Sequence, residues 1–179
     1  MRAFAVVLAT LAISAISQPS KAETPVSSKT IRDWTFKAFA DGSSGAQTVN
    51  ESGSTLGVYC LAEQQCTLFL QAETKCEPDA KYPLMVNADS GAIAVSTTCN
   101  SYGSAGAKDS FALFFDDFQS IFNIVLKNHT IGFSIPMANG MFKVTRFSLE
   151  GSNEVMAAVS QSIKGKGGAK PAGLKDQVL

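Results

Sequence analysis

All four cysteines of the chain, Cys60, Cys66, Cys76 and Cys99, fall in one stretch of forty residues, and any fold must bring them together. The intervals between them are five, nine and twenty-two residues. None is the C-x-x-C knuckle of a zinc ribbon, so no metal site is expected. The chain also opens with the features of a secretory signal, which puts the thiols where disulfides form and persist. Two bridges are expected, and three connectivities satisfy the count. The apolar runs 56–60 and 66–70 flank the polar turn Ala62-Glu63-Gln64-Gln65 and read as a hairpin. That favours Cys60 with Cys66 and leaves Cys76 for Cys99. Each bridge would stabilise a domain by roughly 2–4 kcal/mol, a large share of the roughly 5–15 kcal/mol that a domain commonly has.

The signal itself comprises the basic start Met1-Arg2, an apolar run over residues 3–16 broken only by Thr10 and Ser14, and small residues at Ser20-Lys21-Ala22. Residues 1–22 therefore read as a signal peptide. The run is too short for a membrane span and no later run reaches that length, so no transmembrane segment is expected. Removing 22 of 179 residues leaves 157, enough for one core. Without Arg2 and Lys21 the fifteen basic side chains become thirteen, against fifteen acidic ones. No affinity for nucleic acid follows from that balance.

Residues 23–29 read as a loose polar leader. Residues 31–39 read as the first strand, with Trp34, Phe36 and Ala38 on one side and Trp34 as a core anchor. The Gly, Ser, Asn and Thr of residues 40–57 predict a long mobile loop. Two glycosylation sequons, Asn50-Glu51-Ser52 and Asn128-His129-Thr130, have meaning only in a eukaryotic secretory pathway. Residues 75–82 form a polar turn region, and residues 83–91 and 92–98 read as a strand and its return, reversing at Asp89-Ser90-Gly91. A second Gly/Ser loop is expected over residues 100–109. Residues 111–115 are a short strand.

Phe118, Ile121, Phe122, Val125 and Leu126 then make the stripe of an amphipathic helix. Asp116, with Gln119 three residues on, has the spacing of a capping box, which gives the Asp116-Asp117 pair a structural role in preference to acid–base catalysis. Residues 130–135 alternate as a strand stopped by Pro136. Asn139-Gly140 marks a hairpin, residues 141–147 return, and Ser152 or Asn153 caps a helix with Val155, Met156, Val159 and Ile163 inside.

His129 is the only histidine, so a Ser/His/Asp or Cys/His mechanism would have to use it. Its place after a helix end reads as a surface turn. There is no G-x-S-x-G elbow, phosphate-cradling loop or H-E-x-x-H helix. The chain is therefore expected not to be an enzyme and to need no cofactor. Lys164, Lys166, Lys170 and Lys175 make residues 164–179 a basic, solvated tail.

Several short motifs carry a family resemblance: Asp33-Trp34, Pro83-Leu84-Met85-Val86, Cys99 with Gly103, the helix–strand unit 118–135, and Phe147-Ser148-Leu149-Glu150-Gly151 before a helix. Together they resemble the invasion-associated locus B family of bacterial periplasmic proteins. Ala38 and Ser104 stand where members of that family commonly carry cysteines. The resemblance implies a small periplasmic or secreted α+β protein, linked to envelope integrity or host-cell invasion, with no catalytic residues to carry over.

The expected architecture is one disulfide-stapled α+β domain over residues 23–163, mostly antiparallel and sandwich-like, with two helices packed on the sheet. The expected function is non-catalytic, with a protein or cell-envelope partner and an open oligomeric state. The alternative is an inhibitor or immunity-type protein that blocks a cell-wall hydrolase or toxin with loop 40–57 or 100–109.

Overall fold

The computed structural model describes residues 24–72, 75–102, 110–137 and 139–164. The residues read above as a signal peptide and as a tail, apart from Lys164, and most of the second loop lie outside the described residues. The strands are β1 (Ser27–Ile31), β2 (Trp34–Ala38), β3 (Ser44–Val49), β4 (Thr55–Cys60), β5 (Cys66–Gln71), β6 (Lys81–Ala88), β7 (Gly91–Tyr102), β8 (Ser110–Phe115), β9 (Thr130–Pro136) and β10 (Phe142–Ser148). The helices are α1 (Phe118–Lys127) and α2 (Ser152–Lys164). All strands join one sheet, in the order β1-β2-β3-β4-β5-β8-β7-β6-β9-β10, and every ladder is antiparallel.

Period-two alternation puts Trp34, Phe36, Leu56, Val58, Leu68, Leu70, Leu84, Val86, Ile131, Phe133, Ile135 and Phe147 on one face, where all are buried. Fully burying a side chain of this size is worth about 1.5–3 kcal/mol. Both helices lie on that face. α1 brings Ile121 and Val125, and α2 brings Val155, Met156, Val159 and Ile163, into the same core. α2 packs on β2 and β3, and α1 on β5 and β9. The sandwich-like layering comes from one sheet that curls, so that the end of β3 meets β10: Asn50 Nδ2 donates to Thr145 Oγ1 at 2.7 Å.

Four sequence expectations are corrected. Residues 40–57 are not one long loop: β3 and the start of β4 occupy residues 44–49 and 55–57, leaving only short connections at residues 40–43 and 50–54. The inward residues of β3 are Ser44, Ala46 and Thr48, all buried, and their small or polar side chains conceal the alternation. The leader and first strand are divided differently, into β1 and β2, by a turn at Arg32 (φ 51°) and Asp33. Residues 100–102, assigned to the second loop, continue β7 opposite β8. Lys81 and Tyr82, placed in a polar turn, begin β6 and pair with Thr98 and Thr97.

The helix starts also differ. Asp117, not Asp116, caps α1, accepting from the Ser120 N–H at 3.1 Å. At α2 the Gly151 carbonyl accepts from the Val155 N–H. Ser152 and Asn153 do not cap their own helix; they donate to the Val125 and Leu126 carbonyls, which lack partners in the last turn of α1. Gly151, at φ 93°, lies so close to β1 that an added Cβ would stand 2.6 Å from the Ile31 carbonyl oxygen. Only glycine fits there.

Candidate functional site

The cysteines pair as Cys60–Cys66 and Cys76–Cys99, with none free. Cys60 and Cys66 stand directly opposite each other at the end of the β4–β5 ladder. Cys76 lies in the connection that leads from β5 past the sheet to β6, and Cys99 is buried in β7. The bridges tie β4 to β5 and the β5–β6 connection to β7.

Asp116 accepts from Ser96 Oγ at 2.7 Å, Thr98 Oγ1 at 2.7 Å and Lys81 Nζ at 3.0 Å. These hydrogen bonds, those from Ser96 and Thr98 first, hold its carboxyl at about 2, well below the usual carboxylate value. Hydrogen bonds from Ser120 lower Asp117 as well. The adjacent carboxylates therefore hold strands and a helix start, and both stay ionised near neutral pH. His129 is 83 % exposed and stands 3.3 Å from Asp89. Asp89 accepts from the His129 backbone N–H at 2.7 Å, the largest cause of its lowered pKa, and from Thr130 Oγ1 at 3.3 Å. This arrangement fixes the turn between α1 and β9. Among the described residues no hydroxyl is hydrogen-bonded to the His129 ring.

Both sequons have their asparagines in use. Asn128 donates to the Ile124 carbonyl and accepts from the Ser90 N–H, and Asn50 bridges to β10. Among the described residues no three His, Cys, Asp or Glu side chains are gathered as a metal site would need, and no helix is long and apolar enough to cross a membrane.

The face of the sheet turned away from the helices offers more. Over β4, β5 and β8, and at the residue after β2, it carries aromatic rings laid down beside glycines. The Phe69 and Phe114 centroids are 6.1 Å apart and those of Phe39 and Tyr59 are 6.3 Å apart. An added Cβ on Gly57 would collide with the Phe69 ring.

Over β6, β9 and β10 the register places Met85, Ser134 and Val144 in one row, and Asn87, Gly132 and Arg146 in the next. Met85 is 45 % exposed, Val144 50 % and Phe142 63 %, with Met141 exposed beside them. Gly132 leaves a hollow of about 250 Å³ bordered by Asn87, Asp89, Ser134 and Arg146. Arg146 has no acidic partner among the described residues. A cation, a carboxylate, an amide and a hydroxyl around a hollow, next to bare apolar side chains, can bind a partner through both polar and apolar contact. Sequence reading passed over this surface. The alternation that reveals the buried face was visible, but the outer residues form a patch only once β6 is known to pair with β9.

No family model matches the chain, and neither does any curated protein. Among solved structures, the chain is similar to invasion associated protein B from Bartonella henselae, with a TM-score of 0.52 and 13 % identity, covering 74 % of this chain and 95 % of that one. The likeness is distant and is one of fold.

Proposed function

We propose that this is a non-catalytic binding protein of the bacterial periplasm or exterior, serving envelope integrity or host invasion, and that it engages its partner through the outer face of β6, β9 and β10. The observation that carries the reading is the row Met85–Ser134–Val144, extended by Phe142 and Met141: apolar side chains left open on a paired, ordered surface. Contiguous apolar patches on soluble proteins commonly mark interaction sites. The invasion and envelope context is supported by the sequence resemblance and by the fold likeness to the Bartonella protein, which is an analogy of fold and not of site. The inhibitor reading has less to stand on at residues 40–57, which form two strands and a turn pinned by Asn50.

The test is capture of partners from envelope extracts on the oxidised protein, comparing it with Met85→Glu and with variants of the turn 50–54. Loss of a stoichiometric partner only in Met85→Glu supports the face. Loss only in the turn variants would transfer the reading to a loop-borne inhibitor. In parallel, His129→Ala is expected to leave function and fold unchanged.

A further inference from the structure

The last strand, β10, ends the sheet, and the direction of its backbone groups follows from three hydrogen bonds. The Met141 carbonyl accepts from the Met137 N–H, and the Leu149 N–H donates to the His129 carbonyl, so residues 141 and 149 face β9. The Arg146 carbonyl instead accepts from Asn50, across the opposite edge. Because backbone groups alternate along a strand, Phe142, Val144 and Arg146 direct their N–H and C=O away from β9. Asn50 occupies the Arg146 carbonyl. The N–H and C=O of Phe142 and Val144, with the Arg146 N–H, form an open edge.

Proteins usually blunt such edges with short polar strands, lysine or proline. The other end of the sheet follows that practice: β1 is five residues long, and its exposed residues are Ser27, Ser28, Lys29 and Thr30. The β10 edge follows it only in part: it contains Lys143 and Arg146, but it is seven residues long, has no proline and carries Phe142 and Val144, two of the most exposed apolar side chains among the described residues.

From this contrast we infer that β10 is a docking edge that takes an extended segment of a partner protein as an added strand, with apolar side chains beside Phe142 and Val144 and a carboxylate beside Arg146. The inference rests on the outer-face reading above and names the partner's chemistry. Strand addition draws its affinity from the backbone and its specificity from alternate side chains. Here the alternate positions on the outer face are Phe142, Val144 and Arg146, two apolar and one cationic. Arg146 forms no ion pair among the described residues, and Asp89, the one carboxylate lining the same hollow, is already held by the His129 N–H and Thr130 Oγ1, so the guanidinium is left to take an incoming carboxylate. A second copy of this chain fits less well. Pairing two β10 edges about residue 143 sets Lys143 against Lys143, and like charges directly opposite are unfavourable. Pairing them about Val144 requires the Arg146 carbonyl that Asn50 already holds.

The test uses the oxidised protein, nitrogen-15 labelled, and two blocked heptapeptides of opposite direction, Thr-Glu-Thr-Val-Thr-Val-Thr for antiparallel and Thr-Val-Thr-Val-Thr-Glu-Thr for parallel addition, each with a lysine-for-glutamate control. One glutamate peptide should shift the amide signals of Phe142, Val144 and Arg146 and slow their hydrogen exchange. Val144→Pro removes an N–H that β9 does not use, so the ladder is kept, and binding should weaken about tenfold, as loss of an edge hydrogen bond implies. Arg146→Glu, at an exposed position, should reverse the preference toward the lysine peptide.

No shift at those amides with millimolar peptide overturns the proposal. So does a concentration-dependent dimer that Val144→Pro abolishes, which would make the occupant a second copy. If the edge stays silent while Met85→Glu still loses the envelope partner, the edge proposal alone fails; if Met85→Glu loses nothing, the face reading fails with it.

Discussion

Asn50 and Thr145, ninety-five residues apart, are joined by a hydrogen bond of 2.7 Å from the carboxamide to the hydroxyl. The same carboxamide accepts from the N–H groups of Ser52 and Ser54 and so shapes the β3–β4 turn. One side chain thus forms the turn and closes the curled sheet onto β10. Thr145 is buried, and removing its partner leaves a hydroxyl unsatisfied. Asn50→Ala should lower stability by about 1–3 kcal/mol, read from the midpoint of chemical denaturation. An unchanged midpoint would mean that the sheet closes without this contact.

Acid should weaken the domain through Asp116. Its folded pKa, about 2, lies below the value near 3.9 expected in an unfolded chain. The stabilisation is therefore complete above the unfolded value and is lost as pH falls toward about 2. Asp116→Asn should melt below the parent at neutral pH, and the gap should narrow on acidification. A gap that stays constant across that range would show that the ion pair and hydrogen bonds are not what Asp116 contributes.

The two disulfides should differ in worth. They close loops with separations of 6 and 23 residues, and in the chain-entropy description the longer loop gains about 1 kcal/mol more. Replacing Cys76 and Cys99 by serine should therefore cost more than replacing Cys60 and Cys66. Equal losses in urea denaturation would indicate that native-state contacts outweigh loop entropy here.

On the aromatic half of the outer face, Gly57→Ala must displace the Phe69 ring from its place beside Phe114. Overpacking of this kind costs about 1–3 kcal/mol. The cost should shrink when Phe69→Ala is combined with it, because the two sites then no longer collide. Additive effects would place the strain in the backbone instead.

The legible parts of this fold were those with strong alternation or helical stripes. Leu68 and Leu70, Ile131, Phe133 and Ile135, and the stripe from Phe118 to Leu126 announced their elements, and hairpin spacing favoured the Cys60–Cys66 bridge that formed. β3 was hidden because small and polar side chains fill its inner face. Asp116 was misread because its partners, Ser96, Thr98 and Lys81, come from strands far back in the chain. The candidate surface was invisible for the same reason: Met85 and Val144 become neighbours through a strand order that sequence spacing does not encode.

That strand order has a mechanical consequence. Because β5 pairs with β8 and not with β6, the chain after β5 must travel across the end of the sheet before it can begin β6. Residues 75–80 act as a strap, buckled by Cys76–Cys99 and by the paired hydrogen bonds Asp79 N–H to Cys99 C=O and Cys99 N–H to Ala80 C=O. Reduction would open the disulfide and leave the strap held at Asp79 and Ala80 by those two hydrogen bonds alone, so a reductant acting on this protein should first loosen residues around Cys76 and not unfold the sheet.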